Sequence, residues 1–299
     1  MMHTIRSYAK INLTLDVYSR LPNGFHGMSS VMQSISLFDT LEMRLIPQIA
    51  IQFSCEAPLS PDVPTGPENI VVRAVSLLLN HASSVGKRVE YGVACHLTKM
   101  VPSQAGLGGG SSNAAAALRG LNTLLQLDFP TTDLMNMAAE LGSDVPFFLH
   151  GGTALATGRG TEITPLADIP TLWMVIVKPN ISVSTKWAYD QLDAVLNRAS
   201  HRASARLQKA IEDKDLERIV SIQCNDFEGP VFEHHSELAW LADEMRMAGA
   251  RVVHLAGSGS ALYGLVDDQA RAVSTAERLQ RVYPHCWISR TLTRAEAAA

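Results

Sequence analysis

A run of small residues in the first half of the chain has the composition of an anion-binding loop. The stretch from Gly106 to Asn113 holds four glycines, a leucine, two serines and an asparagine. A strand-like alternation precedes it, and a helix-forming run follows it at once. Glycines let the backbone approach an anion closely, and the free N–H groups at a helix start point at that anion along the helix dipole. The stretch therefore predicts a binding site for a di- or triphosphate.

The alternative for this stretch is a flexible turn between a strand and a helix. We disfavour it because so many small residues at a helix start would weaken the fold with no compensation. The run is not a Walker A motif, since no lysine followed by serine or threonine comes after the last glycine. It is not a G-x-G-x-x-G fingerprint either, since Ser111 stands where the third glycine belongs. P-loop NTPases and dinucleotide-binding dehydrogenases are both disfavoured.

The bulk composition limits the class of protein and its partners. The chain has 299 residues, is 46% hydrophobic and carries a formal net charge of -4, which is enough for one large domain or two medium ones. No long basic run is present, so we expect no nucleic-acid partner. The N-terminus lacks the apolar stretch of a signal peptide and no apolar run could span a bilayer, so we expect a cytoplasmic protein and no membrane partner. Four widely spaced cysteines are expected to be reduced thiols: Cys55, Cys95, Cys224 and Cys286.

The elements around the glycine run follow from hydrophobic periodicity. Residues 10 to 17 alternate between polar and apolar, which predicts a strand with Lys10 and Asn12 on one face. A second strand is expected around 31–44, a helix just after Pro67, a strand over 89–97 and a helix over 114–125. Asp133 is expected to be the N-cap of a further helix that ends before Gly142.

The second half of the chain begins after a segment rich in glycine, threonine and proline at 158–170. We place the domain boundary there, with one domain over 1–163 and another over 164–299. A buried strand is predicted over 172–177, and helices over 186–198, 203–213 and 236–249. Two strands should flank a turn at Gly257 to Ser260, and the alanine-rich tail after Arg294 is expected to be frayed.

Several segments together resemble one enzyme family. The segment from Pro102 to Ala114 is similar to the central motif of the GHMP kinases, which include galactokinase, homoserine kinase and mevalonate kinase. The similarity is greatest to those members that act on 4-diphosphocytidyl-2-C-methyl-D-erythritol, and it covers nearly the whole chain. The other matching segments, in the family's order, are Ala9–Leu13, Arg20–His26, Gly142–Phe148, Asn225–Glu228 and Gly257–Ala261.

The resemblance implies a fold class and an activity. The fold would be α+β, the two-domain GHMP kinase architecture, with the active site in the interdomain cleft. The activity would be ATP-dependent phosphorylation of the 2-hydroxyl of the cytidine diphosphate substrate, a step of non-mevalonate isoprenoid precursor biosynthesis. ATP would be the co-substrate, and Mg²⁺ would be held mainly by its phosphates with water and Ser111. The adjacent pair His234-His235 is not expected to bind a metal, because neighbouring residues on a helix point in different directions.

Lys10 and Asp144 are the catalytic pair that the resemblance implies. A hydroxyl is a poor nucleophile at neutral pH, so a carboxylate placed to accept its proton helps the attack. An ammonium group beside it orients the hydroxyl and offsets charge on the transferring phosphoryl group. On local sequence alone, Asp144 could instead cap the turn before Pro146, and Lys10 could be a solvated strand residue.

The resemblance also assigns binding residues on two sides of that pair. Phe25 and His26 would hold the cytosine by stacking and by reading the base edge, with Tyr189 or else Trp187 as the second stacking ring. Asn12 and Thr185 lie beside this substrate site in the match. The ATP-binding residues would be Pro102, Ser103, Gln104, Ala105, Gly106, Leu107, Gly108, Gly109, Gly110, Ser111, Ser112 and Asn113, with Asn69 and Lys99 around the adenine.

Two departures from the family pattern fall in the segment that faces the cytidine. Asn23 stands where the family usually has aspartate, and Phe25 where it usually has tyrosine, so they bear on nucleotide recognition and not on the phosphate segment. A kinase of mevalonate-type or amino-alcohol substrates is the alternative within the family, and the Gly24-Phe25-His26 segment argues against it. A regulator that kept the fold and lost catalysis is a third interpretation, opposed by the presence of both Lys10 and Asp144.

Overall fold

Two β-sheets and the helices packed on them form the framework of the chain. The computed structural model describes residues 2–22, 24–60, 62–194 and 202–298. The first half contains β1 (Met2–Asn12), β2 (Thr14–Arg20), β3 (His26–Ile46), β4 (Ile51–Glu56), α1 (Ile70–Ser84), β5 (Gly92–Thr98), α2 (Gly109–Leu124), α3 (Thr131–Leu141), α4 (Val145–His150), β6 (Thr153–Thr157) and β7 (Glu162–Pro165). The second half contains β8 (Trp173–Val177), α5 (Thr185–Ala194), α6 (Ala203–Glu212), α7 (Leu216–Ser221), β9 (Cys224–Asn225), α8 (Glu228–His234), α9 (Ser236–Ala248), β10 (Val252–Leu255), β11 (Leu262–Val266), α10 (Gln269–Leu279), β12 (Cys286–Arg290) and α11 (Arg294–Ala298). The mixture confirms the predicted α+β class.

The long strand β3 organises the first sheet. It pairs antiparallel with β1, β2, β5 and β6, while β4 extends the sheet beyond β5 and β7 extends it beyond β6. The register places Lys10 opposite Ser34 and Asn12 opposite Met32. Lys10 and Asn12 share a face, as predicted, since their side chains are hydrogen-bonded to each other.

Helix α2 lies close against this sheet because its inner face is made of small residues. Ala114 and Ala117 are fully buried, and a side chain at Gly120 would lie 2.2 Å from a methyl group of Ile5. Helix α1 packs beside α2 through a stripe that includes Val75 and Leu78, with Asn69 as its N-cap. The close approach of α2 fixes where its first turn, and so the glycine run, meets the sheet.

The second sheet has the order β10–β11–β8–β12, and its two central strands, β8 and β11, are almost entirely buried. One face packs on α9 and α10, and the other faces strands β1 and β3 with α6 and α7. The two halves are also joined directly, because β9 pairs with β2 and the Asp16 carboxylate accepts hydrogen bonds from the N–H groups of Ala203 and Ser204. The boundary at 163/164 falls within β7 and stays a prediction.

Three local predictions were wrong in detail. Strand β5 begins at Gly92, after a segment that is not part of the sheet. Asp133 lies in the first turn of α3, whose N-cap is Pro130 in extended conformation, so its carboxylate complements the helix dipole instead of capping. The tail after Arg294 is helical, not frayed, because Glu296 pairs with Arg290 and Thr293; those hydrogen bonds lower the pKa of Glu296 to about 2.

Two further features of the fold are the state of the cysteines and the character of the helices. All four cysteines are free thiols, and burial raises the pKa of both Cys95 and Cys286 to about 12. Within the described ranges, no helix has the length and apolar character needed to cross a membrane.

Candidate active site

The glycine loop, residues 102 to 110, leads from the end of β5 into the first turn of α2. Gly106 and Gly108 adopt positive φ angles of 75° and 69°, a left-handed conformation that favours glycine. Gly108 is the N-cap residue of α2. Because glycine has no side chain, α2 has no capping hydrogen bond from its N-cap residue. The first-turn N–H groups of a helix have no acceptors within the helix, so α2 offers its N-terminus to an anion at this point.

A pocket of about 470 Å³, here the nucleotide pocket, opens beside the loop. It is bounded by the loop, the start of α2 and the segment that leads into α1. All but three of the residues predicted to bind ATP line it. The three exceptions are Ala105, Leu107 and Ser112, whose side chains are buried behind the loop.

Two residues predicted to lie around the adenine have side chains that form hydrogen bonds or an ion pair with other parts of the protein. The Asn69 amide caps α1, since its Oδ1 accepts from Val71 N at 2.8 Å and its Nδ2 donates to Pro64 O at 2.6 Å. The Lys99 ammonium lies 2.8 Å from Asp39 Oδ2. Both residues line the nucleotide pocket, and both side chains also have hydrogen-bond partners within the protein.

Lys10 and Asp144 form an ion pair at the edge of the glycine loop. Lys10 Nζ lies 3.4 Å from Asp144 Oδ2, with the lysine side chain 5% exposed and the aspartate side chain 36% exposed. Asp144 is the N-cap residue of α4, but its side chain makes no capping hydrogen bond, so its carboxylate is not committed to the helix start. The Lys10 N–H donates to Leu107 O at 3.0 Å, which ties β1 to the loop itself. A carboxylate that could accept a proton and an ammonium group therefore lie next to the predicted phosphate site.

A second, smaller pocket of about 160 Å³ has this ion pair in its wall, and we call it the acceptor pocket. Residues from both halves of the chain line it, among them Asn12, Thr185, Tyr189 and Phe227, together with Lys10 and Asp144. Gly106 and Gly108 line both pockets. The two pockets therefore adjoin at these two glycines.

A hydrogen-bond chain in the sheet orients Asn12 toward Lys10. Lys10 Nζ donates to Asn12 Oδ1 at 2.7 Å, and Asn12 Nδ2 donates to Ser30 Oγ at 2.7 Å. The Ser30 hydroxyl donates in turn to Thr14 O at 2.6 Å, so it can only accept from the amide. Ser30 thereby fixes which end of the Asn12 amide faces the lysine. No local pattern pointed to Ser30, which follows Ser29 in a strand that holds several other polar residues.

The turn between β10 and β11 closes the site from the second half of the chain. A side chain at Gly106 would lie 1.7 Å from Ala256 O, so the loop backbone is in direct contact with this turn. Asn225 Nδ2 holds the turn by donating to Leu255 O and Gly257 O at 2.8 and 2.7 Å. The Ser258 and Thr185 hydroxyls are hydrogen-bonded at 2.9 Å.

The residues predicted to contact the cytidine are only partly together. The Tyr189 ring stacks on the His26 ring, with centroids 4.8 Å apart and planes at 16°. Burial, with a smaller effect of the Asp144 charge, raises the pKa of Tyr189 to about 12, so its phenol stays neutral at physiological pH. Phe25 does not line the acceptor pocket; its ring is 52% exposed, 5.7 Å from Arg159 Cζ. Asn23 lies outside the described residues.

Two other side chains lie near the stacked pair: Asp193, which no sequence pattern indicated, and Trp187, the alternative stacking ring. Asp193 Oδ1 lies 2.7 Å from His26 Nε2, and Asp193 Oδ2 accepts from Arg20 at 2.8 Å. The hydrogen bond from His26 and then the one from Arg20 lower the pKa of Asp193. Trp187, the alternative stacking ring, packs on His234 with centroids 4.7 Å apart and does not line the acceptor pocket.

No resident metal site is built from side chains in the part of the chain that the structure describes. There, no group of three or more histidine, cysteine, aspartate or glutamate residues is arranged to hold a metal ion. Ser111, at the start of α2, places its hydroxyl at the nucleotide pocket. This donor set suits a hard cation that arrives bound to phosphate oxygens and keeps most of its water.

Comparison with known proteins places the whole chain among kinases. The family model for the GHMP kinases N terminal domain matches residues 69–152, and that for GHMP kinases C terminal matches 207–285. A 4-diphosphocytidyl-2-C-methyl-D-erythritol kinase of Geobacillus kaustophilus is 39% identical, covering 95% of this chain and 92% of the relative. One of Pelotomaculum thermopropionicum is 40% identical, covering 97% of this chain and 98% of the relative.

Solved structures give the same result at the level of the fold. A crystal structure of 4-(cytidine 5'-diphospho)-2C-methyl-D-erythritol kinase matches with a TM-score of 0.78 and 31% identity, covering 97% of this chain and 99% of that one. The mevalonate kinase of L. major in complex with R-mevalonate matches with a TM-score of 0.74 over 97% of this chain and 96% of that one. The latter is only 15% identical and so shows a shared fold alone.

Proposed function

The chain belongs to the 4-diphosphocytidyl-2-C-methyl-D-erythritol kinases of the GHMP kinase family, and from this membership we propose that it phosphorylates the 2-hydroxyl of that cytidine diphosphate substrate with ATP. One observation carries the proposal beyond the family likeness. The Lys10–Asp144 ion pair stands where the nucleotide pocket and the acceptor pocket share Gly106 and Gly108. The reacting groups of two substrates would meet beside a base and a cation.

We propose that Asp144 accepts the proton of the 2-hydroxyl while its oxygen attacks the γ-phosphorus. The O–P bond forms, the bond from the γ-phosphorus to the β,γ-bridging oxygen breaks, and ADP leaves. The 2-hydroxyl is tertiary and therefore crowded, so positioning matters more than for a primary alcohol. Lys10 would hold the hydroxyl and offset charge on the transferring group. Its own position is fixed by Asn12 and by the bond from its backbone to Leu107.

Mg²⁺ is the cation we propose to accompany ATP, held by phosphate oxygens, water and Ser111. When bound, it neutralises phosphate charge during transfer. The glycine loop would bind the phosphates through the N–H groups at the start of α2, in the way that helix N-termini bind anions. We place the active site in the cleft between the domains proposed at 1–163 and 164–299, since both halves line the acceptor pocket.

Cytidine recognition is proposed for the surface formed by Tyr189, His26 and Phe25. Tyr189 lines the acceptor pocket and stacks on His26, and Phe25 precedes His26 in the chain. Because Phe25 is exposed, its ring is accessible to a base without rearrangement of the core. Thr185 and Asn12, which also line the pocket, are placed to contact the remainder of the substrate.

The proposed function is tested by comparing acceptors side by side. ADP release should be measured with 4-diphosphocytidyl-2-C-methyl-D-erythritol, mevalonate and homoserine at matched ATP concentration. We expect kcat/KM to be highest for the cytidine compound, because binding energy from the remote base helps to hold the hydroxyl in line. If mevalonate or homoserine gives the higher value, the substrate is wrong although the kinase assignment survives. If none of the three compounds supports ADP release, the proposed function itself is contradicted.

Replacing Phe25 by alanine should weaken binding of the cytidine substrate and leave binding of ATP unchanged. Loss of one stacking face costs about 1–3 kcal/mol, which is roughly 5- to 150-fold in KM for the acceptor. Phe25→Tyr should be nearly neutral, because stacking needs the ring and not the hydroxyl. Tyr91→Ala is the matched control, since Tyr91 is an aromatic residue of similar exposure, 49%, away from both pockets. An unchanged KM for the acceptor in the Phe25→Ala protein would show that Phe25 does not contact the cytidine substrate.

A further inference from the structure

Asp39 is a fully buried carboxylate that the proposed mechanism does not use. It lies on β3 with its side chain 0% exposed, and it accepts four hydrogen bonds. Its Oδ1 accepts from the backbone N–H groups of Met100 and Val101, both at 2.7 Å. Its Oδ2 accepts from Lys99 Nζ at 2.8 Å and from Asn113 Nδ2 at 2.9 Å.

The four donors come from the two ends of the glycine loop. Lys99, Met100 and Val101 follow β5 immediately before the loop, and Asn113 lies in the first turns of α2 immediately after it. One carboxylate on the central strand of the sheet therefore holds the start and the end of the loop at a fixed separation. The loop spans the gap between these two anchors.

A second set of hydrogen bonds continues from the same point to β1. Asn113 Nδ2 also donates to Ser7 Oγ at 2.8 Å, and Ser7 Oγ donates to Ser112 Oγ at 2.8 Å. Ser7, Asp39, Lys99, Ser112 and Asn113 are all buried. The network thus joins the first turns of α2 to two strands of the sheet as well as to the chain that leaves β5.

We propose that Asp39 is a positioning residue that holds the glycine loop in its ATP-binding conformation before ATP arrives. The inference rests on the proposed function of the loop, and it adds a residue outside the segments that resemble the family. Preorganised backbone donors cost no rearrangement on binding, so loss of this anchor should appear as weaker ATP binding.

A simpler role for Asp39 would be to neutralise the buried Lys99. An unpaired buried ammonium is costly, and the pair is nearly inaccessible, with the lysine side chain 5% exposed. Neutralisation needs only the contact with Lys99, however. The two hydrogen bonds from Met100 and Val101 and the third from Asn113 contribute nothing to it, and they are the ones that set the path of the chain into and out of the loop.

Asp39→Asn is the first test, because it keeps the shape of the side chain. The asparagine Oδ1 can still accept from Met100 and Val101, but its Nδ2 then faces the donors of Lys99 and Asn113. We expect the KM for ATP and the dissociation constant for ADP to rise about 10- to 100-fold, as for disruption of a hydrogen bond to a charged group. The KM for the acceptor and kcat at saturating ATP should change by less than about 3-fold on the same reasoning.

The exchange of the two residues supplies the rescue. In the double variant Asp39→Asn, Asn113→Asp, the new carboxylate faces the new amide and also Lys99, whose Nζ is already 3.5 Å from Asn113 Oδ1. Because Asn113 also lines the nucleotide pocket, Asn113→Asp alone is the reference, and the double variant should bind ADP more tightly than either single variant. A structural role alone predicts a lowered melting temperature with unchanged ADP affinity, and that result would overturn the proposal.

Hydrogen exchange on the unaltered protein keeps the proposal testable if Asp39→Asn does not fold. The amides of Met100 and Val101 should be protected in the absence of nucleotide, and ADP should add little protection there. Rapid exchange that slows only when ADP binds would show that the nucleotide builds the loop, which contradicts preorganisation by Asp39. Because ADP alone is the probe in these measurements, their outcome is separate from that of the acceptor comparison.

Discussion

Replacing Asp144 by asparagine is expected to lower kcat about 100- to 1,000-fold, the usual contribution of a general base or of one strong electrostatic contact. The amide cannot accept the proton of the hydroxyl, and Lys10 loses its counter-charge 3.4 Å away. ATP affinity should change little, because Asp144 lines the acceptor pocket and not the nucleotide pocket. Rates of ADP release under single-turnover conditions, with ADP affinity from calorimetry, separate the two effects.

The same chemical change at Asp133 is the control for Asp144→Asn. Asp133 lies in the first turn of α3, outside both pockets, so Asp133→Asn should leave kcat unaltered. Lys10→Ala should act on the same step as Asp144→Asn, and the double variant should be little worse than either single one, since the two residues work as a unit. Near-normal turnover by folded Asp144→Asn protein would show that another group removes the proton.

Gly110→Val should reduce ATP affinity by about 100-fold while the protein stays folded, the expected loss when a hydrogen bond from the helix start to a charged phosphate is prevented. A side chain at Gly110 would meet nothing of the protein closer than Ile70 Cγ2 at 3.9 Å, and the position lines the nucleotide pocket. Valine is also a better helix residue than glycine. The added methyl groups would therefore fill only space that the phosphates need. Calorimetric titration with ADP measures the loss directly.

The other glycines of the loop are poorer targets. A Cβ at Gly108 would lie 2.7 Å from the Phe148 ring and one at Gly109 would lie 2.9 Å from Val101 Cγ1, so substitution there would disturb the fold itself. Thr123→Val, on the exposed C-terminal turn of the same helix, introduces the same residue far from the pocket and is the matched control. If Gly110→Val binds ADP as tightly as the Thr123→Val protein does, the phosphates do not lie against the start of α2.

Local patterns in the sequence predicted those parts of the fold whose interactions are local. Polar and apolar alternation over 10–17 placed Lys10 and Asn12 on one face, which the structure confirms, and the position of Pro67 indicated the start of α1. The same reasoning failed at the tail after Arg294. Its helix is stabilised by the contact of Glu296 with Arg290 and by packing against Gly151 and Gly152 in the first half of the chain. Composition cannot show either interaction.

The supporting residues of the candidate site could not be found in this way. Ser30 and Asp39 are two among several polar residues of β3, and their partners are distant in sequence: Asn12 is 18 residues from Ser30, while Lys99 and Asn113 are 60 and 74 residues from Asp39. Asp39 stands between Phe38 and Thr40, and nothing in that local pattern shows that its carboxylate is buried and therefore requires partners. Which partners it has depends on the pairing of β1, β3 and β5 and on how closely α2 packs.

The contact between the two pockets is confined to Gly106 and Gly108, and this narrow boundary bears on how such an enzyme can diverge. The residues that would recognise the cytidine lie on one side of it, and those that would hold ATP lie on the other. Evolution of specificity for a new acceptor therefore requires substitutions on one side only. No compensating change is needed in the residues that would bind the phosphates. That separation gives a physical reason why kinases of mevalonate and of homoserine can share this fold with so little sequence in common, 15% and 20% identity with this chain.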